Sequence, residues 1–163
     1  MKPDLRFLVS NPAHFFALGL GSGLAPAAPG TFGTLFGWAS FVWLAPRVPL
    51  WGWVVLLVGG FGAGCWVCAK TGRDLGATDH GAMVWDEIIA MWLVLLCTPP
   101  GLVWQTFAFV LFRIFDIVKP PPIRAFERRF KDAPWSGFGV MGDDLIAAFY
   151  ALLVMAAAVR LNA

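Results

Sequence analysis

The sequence predicts an all-α fold, a polytopic membrane helix bundle with about five spanning or part-spanning helices. The 163 residues are 59% hydrophobic and only 13% charged, whereas average soluble domains contain about 25% charged residues. Nine Trp and fifteen Phe are more than one soluble core of this size readily buries. Apolar runs follow one another along the whole chain. We therefore expect a single integral-membrane domain over residues 1–163.

The chain begins with a polar segment and then a segment that is rich in Gly and Pro. Residues 15–24 are too short and too rich in Gly to span a membrane alone, so they are expected to lie on it or enter it partway. Residues 23–34 carry no charge and are expected to turn sharply, with Thr31 capping the helix that follows. Two interpretations stay open for Pro29, Gly30 and Thr31: an ordinary turn, or an anion-binding loop at a helix N-terminus.

Apolar runs are the candidate membrane helices, at residues 32–45, 51–69, 82–98, 102–118 and 145–161. A spanning helix needs about 20 residues, so several of these runs are short. The second run has no charge and is the clearest span. Prolines at residues 120–122 are expected to end the fourth helix.

Basic residues are distributed unevenly between the loops, and this distribution orients the chain. On one side of the predicted membrane lie Lys2, Arg6, Lys70, Arg73, Lys119, Arg124, Arg128, Arg129 and Lys131. The opposite loops hold only Arg47, and Arg160 lies near the far end. Because cytoplasmic loops carry the excess of Lys and Arg, we expect five spans with a cytoplasmic N-terminus.

Acidic side chains accumulate at the predicted cytoplasmic ends of these runs. They are Asp79, Asp86, Glu87, Asp116, Asp143 and Asp144. An acidic residue near the centre of a membrane helix costs roughly 2.5–3.5 kcal/mol on insertion scales, so the accumulation needs an explanation. Carboxylates are hard oxygen ligands, and this favours Mg²⁺ or Mn²⁺ over zinc. The alternative for Asp86 and Glu87 is a charge pair at a helix start, or a buried pair neutralised by Arg.

The remaining acids also have structural interpretations that the sequence leaves open. Asp143 is suited to capping the fifth helix, and Asp116 is suited to pairing with Arg113 or Lys119. Asp79 fits a solvated loop position equally well. Asp86 and Glu87 project about 100° apart around a helix, so the sequence does not establish that they share one ion.

Cationic side chains accompany the acids and point to a phosphate-bearing lipid as the substrate. Arg113, Lys119 and Arg124 lie in or next to a proline-stiffened loop at the same membrane face. Residues 127–131, ERRFK, are expected to form a solvated basic face near anionic headgroups. His80 is expected to form a local hydrogen bond, and the sequence gives His14 no context. Metal-assisted phosphoryl transfer needs cations for the phosphoryl oxygens.

Four stretches in this order resemble the phosphatidylglycerophosphatase A family: GLAPAAPGTFGTL, DHGAMVWDEIIAMW, FRIFDIVKPPPI and GFGVMGDDLIAAFYA. The resemblance covers residues 19–151. It implies a Mg²⁺-dependent phosphatase of the bacterial inner membrane, with its site on the cytoplasmic face. Its substrate would be phosphatidylglycerophosphate, and its products phosphatidylglycerol and inorganic phosphate. Membrane lipids are its expected surroundings.

The resemblance also implies roles for individual residues. The acidic core that would bind metal and carry catalysis is Asp86, Glu87, Asp116, Asp143 and Asp144, with Lys119 as a further catalytic residue. The residue patterns themselves, rather than the resemblance, give the expected substrate-binding set: Pro29, Gly30, Thr31, Asp79, His80, Arg113, Lys119 and Arg124. The sequence leaves open whether water or a carboxylate attacks phosphorus, and which oligomeric state the chain adopts.

Other classes of protein were weighed against the phosphatase. A cation transporter or channel is the main alternative, because intramembrane acids often mark ion paths, yet here no polar residues continue a path through 51–69. The signature D-x2-D-G-x2-A-R of CDP-alcohol phosphotransferases is absent. Cys65 and Cys68 lack a second pair, so helix packing is favoured over zinc or redox chemistry. A net charge of +2 gives no indication of nucleic-acid binding.

Overall fold

The computed structural model describes residues 2–130 and 136–161, and within these ranges the secondary structure is helical without a strand. A 3₁₀ helix at Gly19–Leu24 follows the first two α-helices. The α-helices are α1 (Leu5–Ser10), α2 (Pro12–Ala17), α3 (Pro29–Leu44), α4 (Leu50–Leu75), α5 (Trp85–Leu96), α6 (Leu102–Val118), α7 (Ile123–Phe130) and α8 (Ser136–Leu161). The all-α prediction is confirmed.

The N-terminal segment folds into short helices because polar caps and positive φ angles interrupt it. Asp4 caps α1 by accepting the N–H of Phe7 at 2.8 Å, and Asn11 caps α2 by accepting the N–H of Ala13 at 2.9 Å. Such side chains satisfy backbone donors that a helix leaves free at its start. Leu20 then adopts a φ of 57°, which breaks the helix again. Residues 15–24 therefore contain no helix long enough to span a membrane.

Helix α5 lies at the centre of the bundle and runs parallel to α3. A Cβ at Gly33 would collide with Val84, and one at Gly37 would press tightly on the backbone of Ile88, so the two helices approach closely along these glycines. Farther along, Trp92 donates its indole N–H to the Gly37 carbonyl at 3.0 Å. Contacts therefore progress in the same direction along both helices.

Helix α4 runs antiparallel to α5, and α6 runs antiparallel to α3. Trp53 of α4 packs edge-on against Trp92 with ring centroids 5.7 Å apart, while Gly60 accepts a hydrogen bond from Trp85 at 3.0 Å. Between α3 and α6, Trp38 donates to Gln105 at 2.8 Å. An indole–amide bond of this kind satisfies two polar groups within an apolar layer.

Helix α8 runs parallel to α5 and starts much earlier than the sequence predicted. Asp144 lies beside the start of α5, while Met155 and Thr98 line one cavity at the opposite end.

The fifth run was expected to begin at residue 145, but α8 begins at Ser136, so Asp143 lies inside the helix and is not its cap. The glycine-rich start remains helical because it packs tightly, and a Cβ at Gly137 would overlap the Cys65 carbonyl.

Helix α5 is shorter than the third predicted run, 82–98. Val84 is the non-helical cap, with φ −137° and ψ 13°, and its N–H is donated to the carbonyl of Ala17 at 2.9 Å. The helix has 12 residues, about 18 Å at 1.5 Å per residue, and most of its side chains are buried. It is thus enclosed by its neighbours over nearly its whole surface.

Two helices, α4 and α8, are long and apolar enough to cross a membrane. Large apolar side chains on their surfaces are exposed, among them Trp66, which is 62% exposed, and Val58, which is 69% exposed. Extensive exposed apolar surface of this kind marks a protein that meets lipid or a partner. The expectation that all five runs span the membrane stays a prediction.

Candidate active site

Three buried carboxylates meet where α5 begins and α8 passes beside it. Asp86 and Glu87 occupy the first turn of α5 and are 8% and 9% exposed, and Asp144 of α8 is 3% exposed. Each offers one oxygen, and these atoms lie within 4.8 Å of one another. The angular separation of Asp86 and Glu87 therefore does not prevent them from facing one point, because Asp144 approaches from the neighbouring helix.

Each member of this carboxylate trio (Asp86, Glu87 and Asp144) has an oxygen that lacks a hydrogen-bond partner. Among the described residues, no donor reaches Asp86 Oδ1, Glu87 Oε2 or Asp144 Oδ2. A buried polar atom without a partner is costly, and three acidic ones together repel each other. A hard divalent cation bound by one oxygen of each acid would offset this repulsion, so the trio fits Mg²⁺ in its chemistry and its burial.

Arg113 lies beside the trio and links α3, α5 and α6. Its Nη1 is 2.6 Å from Asp116 Oδ2 and 3.8 Å from Glu87 Oε1, and it donates to the hydroxyl of Thr34 at 3.2 Å. The pairing of Asp116 with Arg113 that the sequence left open is therefore present. Gly30 permits this arrangement, because a Cβ there would collide with Glu87 Oε1 and crowd the guanidinium.

Lys119 forms a second charged contact at the site, with Asp143. It ends α6 in a left-handed conformation with φ 46°, which directs its ammonium group to Asp143 Oδ2. Burial alone lowers the pKa of Lys119, but the charge of Asp143 and its hydrogen bond raise that pKa above the ordinary value. Asp143 also accepts the N–H of Asp144 at 3.0 Å, so this contact is connected to the trio.

Other predicted substrate-binding residues lie at the edge of the site. Asp79 lines a small cavity together with Asp143. His80 lines a cavity of about 250 Å³ with Pro29 and Lys2, and its Nδ1 accepts the N–H of Ala82 at 3.2 Å. The local hydrogen bond expected for His80 is thus present.

Two of the predicted substrate contacts take part in helix-end structure instead. Thr31 was expected to cap α3, but the cap is Ala28, with φ 48°, and the Thr31 N–H is donated to the Ala28 carbonyl at 2.9 Å. The prediction of a Thr31 cap is wrong because the helix begins three residues earlier than expected. Arg124 is exposed and donates to the Val118 carbonyl at 2.9 Å, away from the trio.

Glu127 and His14 have contacts that the sequence did not predict. Glu127 was expected on a solvated basic face, yet its Oε2 is 3.8 Å from Lys119 Nζ and its side chain is 29% exposed. Arg128 and Arg129 of this face are exposed as expected, and the expectation fails only for Glu127, because α7 packs back against α8. Lys131 of the same face lies outside the described residues. His14 is buried against Asp74 at 2.7 Å, a contact between positions far apart in the chain.

The buried carboxylate trio, flanked by Arg and Lys, forms a site suited to a hard cation and a phosphate. It lies in a helical bundle that has two helices long and apolar enough to cross a membrane. The profile of the family described as phosphatidylglycerophosphatase A matches residues 15–159. The chain belongs to this family, and the resemblance predicted from the sequence is confirmed. Family membership also favours the phosphatase over the transporter.

Individual relatives cover most of the chain. A Haemophilus influenzae protein named phosphatidylglycerophosphatase A is 44% identical over 94% of this chain and 93% of its own length. An Escherichia coli protein of the same name is 43% identical over 87% of this chain and 80% of its own length. A Bacteroides thetaiotaomicron protein, provisionally named a phosphatidylinositol-3-phosphatase, is 40% identical over 86% of this chain and 89% of its own length. No solved structure matches the chain.

Proposed function

We propose that this protein is a Mg²⁺-dependent phosphatidylglycerophosphate phosphatase. It hydrolyses the terminal phosphate monoester and releases phosphatidylglycerol and inorganic phosphate. The names of two relatives at 43–44% identity support the substrate. The observation that carries the chemistry is the set of three unpartnered carboxylate oxygens on Asp86, Glu87 and Asp144.

The carboxylate trio would hold Mg²⁺, because it supplies three buried oxygen ligands with free lone pairs. When bound, Mg²⁺ supplies positive charge opposite the phosphoryl oxygens of the substrate. Asp116 and Asp143 are each paired with a cation, by Arg113 and Lys119 respectively. We therefore assign these two acids to holding the cations in place, next to the ion rather than directly on it.

Arg113 and Lys119 would bind the terminal phosphate from two sides. Arg113 has an Nε–H without a partner among the described residues, so a donor remains available to a phosphate oxygen. Its planar guanidinium suits phosphate geometry. In the overall reaction an oxygen from water joins phosphorus, and the bond from phosphorus to the glycerol oxygen breaks. The leaving oxygen gains a proton to become the headgroup hydroxyl.

We place this site at the cytoplasmic face of the bacterial inner membrane, in a chain with five spans. The basic residues Lys70, Arg73 and Lys119 belong to the same end of the bundle as the trio, which fits the positive-inside rule. A lipid substrate in the inner leaflet presents its headgroup at that depth. The headgroup phosphate would reach the trio without the acyl chains leaving the membrane.

Phosphate release from a detergent-solubilised sample tests this function directly. Purified protein is expected to release phosphate from phosphatidylglycerophosphate with Mg²⁺ present, to stop in excess chelator, and to recover when Mg²⁺ is returned. Glycerol 3-phosphate serves as the soluble comparison and is expected to react poorly. Release that persists in excess chelator contradicts the metal role, and no release with any metal contradicts the function.

The name of the Bacteroides relative suggests a second substrate to test in the same assay. Phosphatidylinositol 3-phosphate also presents a phosphate monoester on a lipid headgroup, although on a ring that is bulkier than glycerol. The relatives named for phosphatidylglycerophosphate have higher identity, so we expect a higher kcat/KM for that lipid. A higher kcat/KM for the inositol lipid would reassign the substrate and leave the phosphatase chemistry intact.

A further inference from the structure

His14 is a buried polar residue outside the site, and it joins two helices. It lies on α2 and is 5% exposed. Its Nε2 is 2.7 Å from Asp74 Oδ2 near the end of α4, and its ring stacks on Phe7 with centroids 4.0 Å apart. Lys70 also contacts the same carboxylate. This contact links positions 60 residues apart in the sequence, so it is a tertiary connection and not a local cap.

Both ring nitrogens of His14 face hydrogen-bond acceptors. Nδ1 is 3.1 Å from the Phe7 carbonyl and 3.0 Å from Ser10 Oγ. The Ser10 hydroxyl donates to the same Phe7 carbonyl at 2.7 Å, so its own proton is already used. Nε2 is directed at the carboxylate of Asp74, and a hydrogen bond to an ionised acceptor is the stronger kind.

The segment that His14 holds is in direct contact with the start of α5. Three residues later, the Ala17 carbonyl accepts the N–H of Val84 at 2.9 Å. Gly19 then packs so closely that a Cβ there would overlap side-chain atoms of Val84 and Ile88. Val84 precedes Asp86 by two residues, and it is the cap that sets where α5 begins.

We propose that His14 and Asp74 are positioning residues for the carboxylate trio. Their contact fixes α2 against α4, and α2 holds the first turn of α5 through the Ala17–Val84 hydrogen bond. That turn carries Asp86 and Glu87, which must meet Asp144 from another helix. Neither His14 nor Asp74 touches the trio, so their effect reaches it through the backbone of α2 and α5. The inference rests on the proposed function for its activity readout.

Four variants separate the contact from general folding. His14→Asn places its amide nitrogen near the position of Nδ1, so it retains the local bond to Phe7 and loses Asp74. His14→Gln reaches about as far as Nε2 and is able to donate to Asp74, so it is the conservative variant. Asp74→Ala removes the acceptor. Arg73→Gln is the matched control, because Arg73 is exposed one residue away and has no part in the contact.

Three readouts follow each variant: Mg²⁺-dependent turnover, the rise in melting temperature that Mn²⁺ or Mg²⁺ produces without substrate, and amide exchange across residues 82–88. We expect His14→Asn and Asp74→Ala to lower kcat and to raise the half-saturating Mg²⁺ concentration, each roughly tenfold, as displacements of about 1 Å can do. The metal-induced rise in melting temperature shrinks in parallel. Amide exchange across residues 82–88 becomes faster, because the Val84 N–H loses its fixed acceptor.

His14→Gln is expected to remain within about threefold of wild type, and Arg73→Gln to equal it. A double variant that combines His14→Asn with Asp74→Ala is expected to be no more impaired than the more impaired of the two single variants, because each substitution removes the same contact. The inference is overturned if His14→Asn and Asp74→Ala keep the wild-type half-saturating Mg²⁺ concentration and the wild-type metal-induced rise in melting temperature. It is also overturned if His14→Gln loses as much turnover as His14→Asn. If His14→Asn does not accumulate, Asp74→Ala decides alone. An inactive wild type instead contradicts the proposed function.

Discussion

At the scale of single residues, the site depends on acids whose charge is unfavourable for folding. Asp86 and Glu87 are buried at the start of α5, where unpaired carboxylates are costly in a low-dielectric surrounding. A function that needs their charge would account for such a placement. Arg113 partly offsets it, since it contacts Glu87 and Asp116, but three oxygens remain unsatisfied. These unsatisfied oxygens are the structural basis for the proposal that the site binds a cation.

Neutralising these acids should separate catalysis from stability. Asp86→Asn and Glu87→Gln preserve volume and remove one negative charge each, and neutral amides bind a hard cation less well. We expect kcat to fall at least about a hundredfold, roughly 2.7 kcal/mol. The melting temperature without metal should be kept or raised. Phosphate release and thermal melting on the same samples measure both quantities.

A control for these variants must be an acid that is exposed and distant from the trio. Asp4→Asn is suitable, because the amide oxygen still accepts the Phe7 N–H that caps α1. Glu127→Gln is not suitable, since Glu127 lies 3.8 Å from Lys119. Near wild-type turnover in both Asp86→Asn and Glu87→Gln would mean that these acids serve only as a helix-end charge pair.

Sequence patterns predicted the residues of the trio but not those that hold it. Asp86, Glu87 and Asp144 are charges within or beside apolar runs, so hydropathy alone marks them as exceptional. A lone His on a short polar helix carries no such signal, and the partner of His14 is 60 residues away. Glu127 was misassigned for a related reason, because composition describes a basic face but not the direction in which a short helix folds back.

At the scale of secondary-structure elements, close glycine contacts between α4 and α8 decide where α8 begins. Gly is unfavourable in a helix by about 0.5–1 kcal/mol relative to Ala. The glycine-rich residues 137–142 were therefore not included in the fifth predicted run, 145–161. In the structure this stretch is helical because it packs against α4 and α7 without side chains in between. A Cβ at Gly142 would overlap the ring of Phe126. Packing thus overrides the local preference.

Two Gly→Ala variants test this packing with opposite expected signs. Gly137→Ala places a methyl group into the Cys65 carbonyl, and overpacking of this kind costs about 1–3 kcal/mol. Its melting temperature is expected to fall. Gly62→Ala lies on α4 with nothing within 4 Å of its Cβ position, so its melting temperature is expected to stay or rise. Thermal unfolding in one detergent compares them, and equal shifts would contradict the packing account.

At the scale of the whole molecule, alternating helix directions bring the polar ends together. The contacts of α3, α4, α5, α6 and α8 follow an up-and-down order, in which each helix is antiparallel to the one before it in this series. Consequently five segments lie at the same end of the bundle: the start of α3, the end of α4, the start of α5, the end of α6 and the first half of α8. Every charged group of the site comes from that end, which is how five separate stretches of sequence form one site.

Membrane topology is the prediction that belongs to this scale. If all five helices cross, reporters fused after Arg73 and after Arg129 should report the cytoplasm, and reporters after Pro100 and after Leu161 should report the periplasm. The reason is that alternating directions place these points at alternating ends, and the basic residues select the cytoplasm for the end that holds the site. Each position is fused in parallel to alkaline phosphatase, which is active only in the periplasm, and to a fluorescent protein that fluoresces only in the cytoplasm.

The fusion after Pro100 is the decisive one, because α5 has only 12 residues, about 18 Å, against a hydrocarbon layer of about 30 Å. A short helix can still carry the chain across when its neighbours enclose it and its ends meet polar layers, and α5 is buried along its length. We therefore expect a periplasmic report after Pro100. A cytoplasmic report there, with Leu161 periplasmic, would make α5 and α6 a re-entrant pair. The trio would then keep its geometry in a chain with three spans.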